Sequence, residues 1–227
     1  MEILFDVDNT LLDNDSVTAD LGAYLARTGG AEPAKEYFRI LESLRAELGY
    51  ADYLGTLQRY RAQRPRDFPF FGASRFLVGY PFTERLYPRA LEVLEHANRI
   101  GTPAILSDGD AVFQPIKIAR AGLAAAVGDR VEILIHKEQE LDAVAARFPA
   151  EHYVVVDDKR RLLEAIKRAW GRRVTTVWVR QGHYATAPDV ASYAEPDLSL
   201  AAIAEFTRLS RQTLLEAAAA RSHPGRP

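Results

Sequence analysis

Four places in the sequence combine reactive residue types with spacings that invite chemistry. Phe5-Asp6-Val7-Asp8-Asn9-Thr10-Leu11 carries two carboxylates two residues apart, followed by a hydroxyl. One carboxylate can act as a covalent nucleophile and a second as general acid and base. Thr10 could hold an anion through its hydroxyl and backbone N–H, although a strand-end aspartate and a turn would also explain the run. Ser107-Asp108-Gly109-Asp110 sets a hydroxyl and small residues ahead of a helix. That is either a phosphate cradle or a plain helix cap. Lys137, after His136, could neutralise a carboxylate nucleophile and a phosphoryl oxygen, where a lone lysine is usually only solvated. Asp157 and Asp158 would repel one another unless a cation lies between them. Hard oxygen donors without a histidine cluster favour Mg²⁺, and helix capping near Arg160 is the plainer alternative.

The elements that must position these residues read as α/β. Five Val/Ile-rich runs, Ile3–Val7, Pro103–Leu106, Val131–Ile135, Tyr153–Val156 and Val174–Val179, are nearly continuous, as in strands buried on both faces of a parallel sheet. Between them lie apolar stripes at helical spacing: Leu91, Leu94 and Ala97; Leu141, Val144 and Phe148; Leu162, Ile166 and Trp170. Alternating strands and helices predict a doubly wound, Rossmann-like parallel sheet, with the reactive residues at the carboxyl ends of its strands.

Roughly 95 residues separate the first two strands, where a crossover needs only about a dozen. Val17, Leu21, Tyr24 and Leu25 share one helical face, as do Tyr37, Leu41, Leu44 and Leu48. Aromatics follow at Phe68, Phe70, Phe71, Phe76 and Tyr80, serving either a local core or a contact with a second copy. We therefore expect a helical subdomain inserted over residues 15–80, a core formed by 1–14 and 81–227, and a helix from Pro88 to Arg99 returning to the sheet. The stretch from Leu200 to Ala220 reads as one or two helices, and the tail from Arg221 as disordered.

Composition narrows the class. Lys plus Arg is 29 against Asp plus Glu at 31, a net charge of −2 that gives no general attraction for nucleic acid or anionic membrane. The chain has no cysteine, which excludes disulfides, thiol catalysis and Cys-ligated zinc. The N-terminus lacks a signal-peptide pattern and no apolar run could span a bilayer, so a cytoplasmic location is expected.

The run Asp6-Val7-Asp8-Asn9-Thr10-Leu11 resembles the first motif, DxDxT, of the haloacid dehalogenase superfamily. Ser107, Lys137 and the pair Asp157 and Asp158 stand where its later motifs have a hydroxyl, a lysine and terminal acids. The resemblance covers the sheet, and the insertion is similar to the family's helical cap of the first class. It implies Asp6 as nucleophile, Asp8 as acid and base, and Lys137 as the charge-neutralising partner. It also implies Mg²⁺ held by Asp6, the backbone carbonyl of Asp8 and Asp158, with Asp157 nearby or alternate. Thr10, Ser107, Asp108 and Gly109 would contact the phosphoryl group. The chain departs from the pattern in three ways: Asp108 replaces a common asparagine, Glu138 a common proline, and Leu162 and Leu163 stand where a further acid is often found.

A halide leaves without a proton, whereas the alkoxide of a phosphate ester needs one. Asp8 therefore favours hydrolysis of a small phosphorylated metabolite through an aspartyl-phosphate. The alternative is a catalytically weak protein of the same fold that only holds a ligand or partner. A signalling receiver domain has its acids and acceptor in a different strand order, and no GxxxxGK[ST] phosphate loop occurs. The basic run Gln58–Arg66 could attract an anionic substrate or a nucleic acid backbone but reads first as a solvated helix face. The loop Arg180-Gln181-Gly182-His183-Tyr184 lies at the carboxyl edge of the sheet and could reach the site, although a glycine turn with exposed polar residues is the preferred reading.

Overall fold

A computed structural model of the chain describes residues 1–220; the tail expected to be disordered lies outside the described residues. The chain opens with β1 (Glu2–Phe5), then forms α1 (Asn14–Gly29), α2 (Ala31–Leu48), α3 (Tyr53–Gln63), α4 (Ala73–Val78) and α5 (Ala90–Ile100). It continues through β2 (Thr102–Asp108), α6 (Phe113–Arg120), α7 (Leu123–Ala126), β3 (Val131–Leu134), α8 (Leu141–Arg147), β4 (Tyr153–Asp157) and α9 (Arg160–Trp170). It ends with β5 (Val174–Val179), β6 (Leu198–Leu200) and α10 (Arg211–Ala220).

All pairings are parallel, in the order β3-β2-β1-β4-β5-β6. The chain winds outward from β1 to β3, then crosses back to β4 on the other side of β1. The crevice at that switch, beyond the strands' carboxyl ends, is where such sheets hold ligands. Alternate strand residues face opposite cores. Ile3, Phe5, Val154 and Val156 pack with α5, α6 and α10 through Val93, Phe113 and Leu214. Leu4, Ala104 and Val155 pack with α8 and α9 through Val144, Ile166 and Trp170. This two-sided burial explains why the strands are continuous apolar runs.

Several expectations need correction. β6 was not expected, because a three-residue edge strand containing Ser199 leaves no apolar run to detect. β1 stops at Phe5, so Asp6 and Val7 belong to the following turn. β2 runs on through Ser107 and Asp108, which are strand residues rather than part of the turn. On α5 the inward face is Ala90, Val93, Leu94 and Ala97, while Leu91 is exposed.

The inserted helices share the first core. Val17, Leu21 and Leu25 of α1 and Tyr37, Leu41 and Leu44 of α2 are buried and continuous with it. Tyr60 and Phe70 lie 5.1 Å apart, and Tyr37 meets Phe70 edge-on at 6.1 Å. Truncating a buried aromatic such as Phe70 would cost about 3–5 kcal/mol. Phe71, by contrast, is exposed. No helix among the described residues is long and apolar enough to cross a membrane.

Candidate active site

Register brings the first two acids together. Phe5 pairs with Val156 and with Ile105, so the next residues along, Asp6, Asp157 and Leu106, lie side by side. The turn beyond β1 is tight, since the Val7 carbonyl accepts from the N–H groups of Thr10, Leu11 and Leu12. Asn9 makes the turn possible by adopting φ +59°, a left-handed conformation that asparagine tolerates. Its Oδ1 then accepts from the backbone of Asn14 and Asp15 at 3.1 and 3.2 Å, seating the start of α1 beside the turn.

Lys137 occupies the middle of this cluster. It is buried, and its Nζ lies 2.6 Å from both Asp6 Oδ1 and Asp157 Oδ2 while also donating to the Leu106 carbonyl at 3.3 Å. It is thus a structural counter-ion rather than a solvated surface lysine. Burial pushes Asp6 up to about 6, with Lys137 opposing and Asp157 adding to the rise. Burial also opposes the charge on Lys137, yet Asp157, Asp6 and Asp108 hold its ammonium well above the usual lysine range.

The acidic pair after β4 divides its work. Asp157 faces Lys137 and accepts from the Lys159 backbone N–H at 2.8 Å. Asp158 is fully buried, and neither of its carboxylate oxygens has a hydrogen-bond partner among the described residues. Burial, with the nearby Asp157 and Asp6, drives Asp158 well above the ordinary carboxylate range. Ligand oxygens of Asp6, Asp157 and Asp158 all lie within 4.8 Å of one another. An orphaned buried carboxylate beside two others fits a hard divalent cation. Helix capping does not explain the pair, because α9 begins after Lys159 without a side-chain cap.

Asp8 lines a cavity and is held by residues that no sequence motif marked. Lys117 of α6 donates to both of its oxygens at 2.7 and 2.9 Å, and Gln114 Nε2 approaches Asp8 Oδ2 at 3.3 Å. The same Gln114 group donates to Ser107 Oγ at 2.9 Å. Gly109 permits this approach: a Cβ there would lie 2.7 Å from Gln114 Cγ. The 3.6-residue period of α6 would have put Gln114 and Lys117 on one face, but nothing local showed that this face looks at Asp8.

The expected phosphate cradle changes accordingly. Thr10 is buried, its N–H bonds Val7, and its hydroxyl donates to Asp6 Oδ2 at 3.4 Å, so it braces the Asp6 carboxylate. The Gly109 N–H bonds the Leu134 carbonyl, and Asp110 Oδ1 takes the amides of Val112 and Phe113 at the start of α6. Asp108 Oδ1 accepts from the Lys137 backbone at 2.8 Å, which ties motif residues of two strands together. Burial raises Asp108 above its ordinary value, against the pull of Lys137. Among these residues, Asp108 and Gly109 line the cavity.

This cavity of about 90 Å³ lies beside Asp8 and Asp108, lined by Arg45 of α2, Tyr53 of α3 and Tyr50 between them, and by Lys159, His183 and Tyr184. The loop after β5 makes the glycine turn expected of it, but it is not merely an exposed turn. His183 bonds Asp15 of α1, and Lys159 Nζ sits 5.2 Å from the centroid of the Tyr184 ring. Gly182, at φ +65°, allows the loop to reach Asn9, whose Cβ would lie 2.5 Å from a Cβ at 182. The basic run on α3 points outward: Arg59 pairs with Glu47 at 3.4 Å and Arg64 with Glu36 at 3.7 Å.

A family model described as haloacid dehalogenase-like hydrolase matches residues 3–170. A crystal structure from Burkholderia xenovorans LB400, described as a haloacid dehalogenase-like hydrolase, is 53% identical over 92% of this chain and 98% of that one, with a TM-score of 0.89. YfnB from Bacillus subtilis, described as a HAD-hydrolase bound to magnesium, shares the fold at 15% identity, TM-score 0.63, over 91% and 96% of the two chains. An L-2-haloacid dehalogenase shares it at 17% identity, TM-score 0.63, over 92% and 97%. Among curated proteins the comparison found no match. The chain belongs to the haloacid dehalogenase-like hydrolases.

Proposed function

We propose that this hydrolase is a Mg²⁺-dependent phosphomonoesterase that acts through an aspartyl-phosphate on Asp6. The observation that carries the reading is the buried carboxylate of Asp158, unpartnered beside Asp6 and Asp157. The three buried acids outnumber the ammonium groups of Lys137 and Lys159 that act on them, so a phosphate dianion calls for more positive charge before it can approach. Asp6, Asp158 and the backbone carbonyl of Asp8 would hold Mg²⁺, with Asp157 alongside; bound there, the ion would neutralise charge between carboxylate and phosphoryl group. Displacing a halide from carbon makes no such demand.

Asp6 attacks phosphorus while Lys137 keeps its carboxylate oriented. Asp8 gives a proton to the departing ester oxygen as the P–O bond breaks. It then takes a proton from the water that attacks the aspartyl-phosphate, and inorganic phosphate leaves with Asp6 regenerated. The inserted helices act as a cap over the cavity, so the substrate is a small phosphorylated metabolite. The test is phosphate release from p-nitrophenyl phosphate and a panel of small monoesters, with and without Mg²⁺, for wild type and Asp6→Asn. Mg²⁺-dependent release lost in Asp6→Asn is expected. Release that persists in EDTA or in the variant overturns the mechanism, and a protein that turns over no member of the panel and gains no thermal stability from Mg²⁺ fits the ligand-holding alternative.

A further inference from the structure

Lys117 is a fully buried cation outside the family motifs, and each of its polar contacts bears on how Asp8 is presented. Its Nζ meets Asp8 Oδ1 at 2.7 Å and Oδ2 at 2.9 Å, and donates to Asn14 Oδ1 at 3.1 Å. It is 1% exposed. Asn14 is the first residue of α1, and its amide donates at 3.2 Å to the hydroxyl of Tyr53, on α3. That hydroxyl is 2.8 Å from Thr18 Oγ1. One ammonium therefore joins a core carboxylate to a chain of bonds across two inserted helices. Burying a lysine is costly, and a long polar side chain stays in such a place only when its donors are used.

We propose that Lys117 is a positioning residue that aims Asp8 and makes its aim depend on the seating of the inserted helices. The inference rests on the phosphoryl-transfer reading above. Without Lys117, Gln114 is the one side chain among the described residues left holding the Asp8 carboxylate, through one bond of 3.3 Å to one oxygen. Asp8 is then free to turn away from the ester oxygen. Withdrawal of α1 would likewise remove Asn14 from the ammonium, so proton transfer is set up only when the cavity is shut.

The experiment compares Lys117→Met, Lys117→Arg and Asn14→Ala with wild type on p-nitrophenyl phosphate and phenyl phosphate. The two substrates are similar in size but differ in how much their leaving oxygen needs a proton. Misaiming an acid should cost about tenfold to a hundredfold in kcat on phenyl phosphate. The loss on p-nitrophenyl phosphate should be several-fold smaller, with KM little changed. Lys117→Arg should recover part of the difference, and Asn14→Ala should move in the same direction as Lys117→Met. Equal losses on both substrates would overturn the proposal, as would loss in KM alone. Amide exchange over residues 14–18 supplies a readout that does not need turnover. Faster exchange in Lys117→Met, restored in Lys117→Arg, supports the tether, and unchanged exchange overturns it. If wild type hydrolyses neither ester nor any of the panel, the phosphatase reading fails, while exchange still decides the tether.

Discussion

His183 and Asp15 are joined twice: the His183 backbone N–H donates to Asp15 Oδ2 at 2.8 Å and its ring Nδ1 to Oδ1 at 2.6 Å. One belongs to the loop after β5 and the other to the first turn of α1, so the pair fastens the inserted helices to the far side of the sheet. Burial raises Asp15, but the hydrogen bonds from His183 and Asn9 outweigh it and hold the carboxyl below its ordinary 3.8. A depressed acid contributes stability that is present above its unfolded value and lost as pH falls through the folded one. The link should thus be intact above about pH 4 and loosen in stronger acid. Asp15→Asn should lower stability by less than about 1 kcal/mol, since the pair is part-exposed. Urea denaturation at pH 7 and pH 3 tests this: the difference from wild type should shrink at the lower pH.

Metal binding should depend on pH with a stated sign. Asp6 rises from 3.8 to about 6 on folding without a cation. That contribution to stability is present below about 3.8 and lost by about 6, so the metal-free protein weakens across this window. A cation needs the ionised ligands, so Mg²⁺ should raise the melting temperature more at pH 8 than at pH 5. Asp158→Asn should remove most of that rise while leaving the protein folded. Equal Mg²⁺ effects in the variant and wild type would contradict the assignment of Asp158.

Removing Lys137 should reveal the charge it balances. Lys137→Met leaves Asp6 and Asp157 buried without their shared ammonium, a loss of about 3–5 kcal/mol at neutral pH. Lowering the pH toward 5, or adding Mg²⁺, should restore part of it by protonating or binding the acids. Denaturation curves in EDTA at the two pH values would show whether it does.

Gly182→Ala should disturb both backbone and neighbour. The position has φ +65°, and a Cβ would fall 2.5 Å from Asn9 Cβ and Cγ. Strain of this kind costs about 1–3 kcal/mol. Because Asn9 seats the start of α1, the variant should also lose more activity than Asp15→Asn. Parallel stability and kinetic measurements test the order.

Much of the framework was legible beforehand, for physical reasons particular to each element. Strands buried on both faces must be continuous in Val and Ile, and β1, β4 and β5 were found that way. α9 showed itself through Leu162, Ile166 and Trp170, all buried. β6 escaped because a short edge strand needs few apolar residues. Leu91 was assigned to the wrong face because a stripe of three residues leaves the helix's rotation loosely set.

The site divides along the same line. Asp6, Asp8, Ser107, Lys137, Asp157 and Asp158 could be picked from sequence because each lies at or just beyond the carboxyl end of a strand, and strand ends of such a sheet converge. Lys117, Gln114 and Asn14 could not, since their roles depend on contacts 103 to 109 residues apart in the chain. The sequence by itself determined the kinds of groups at the sheet's carboxyl edge and the order in which they arrive, through local patterning and strand ends. Tertiary structure decided which acids pair with Lys137, which is left without a hydrogen-bond partner among the described residues and which ammonium pairs with Asp8. Those outcomes depend on distances of a few ångströms between distant segments, and Coulomb and hydrogen-bond energies change steeply over that range.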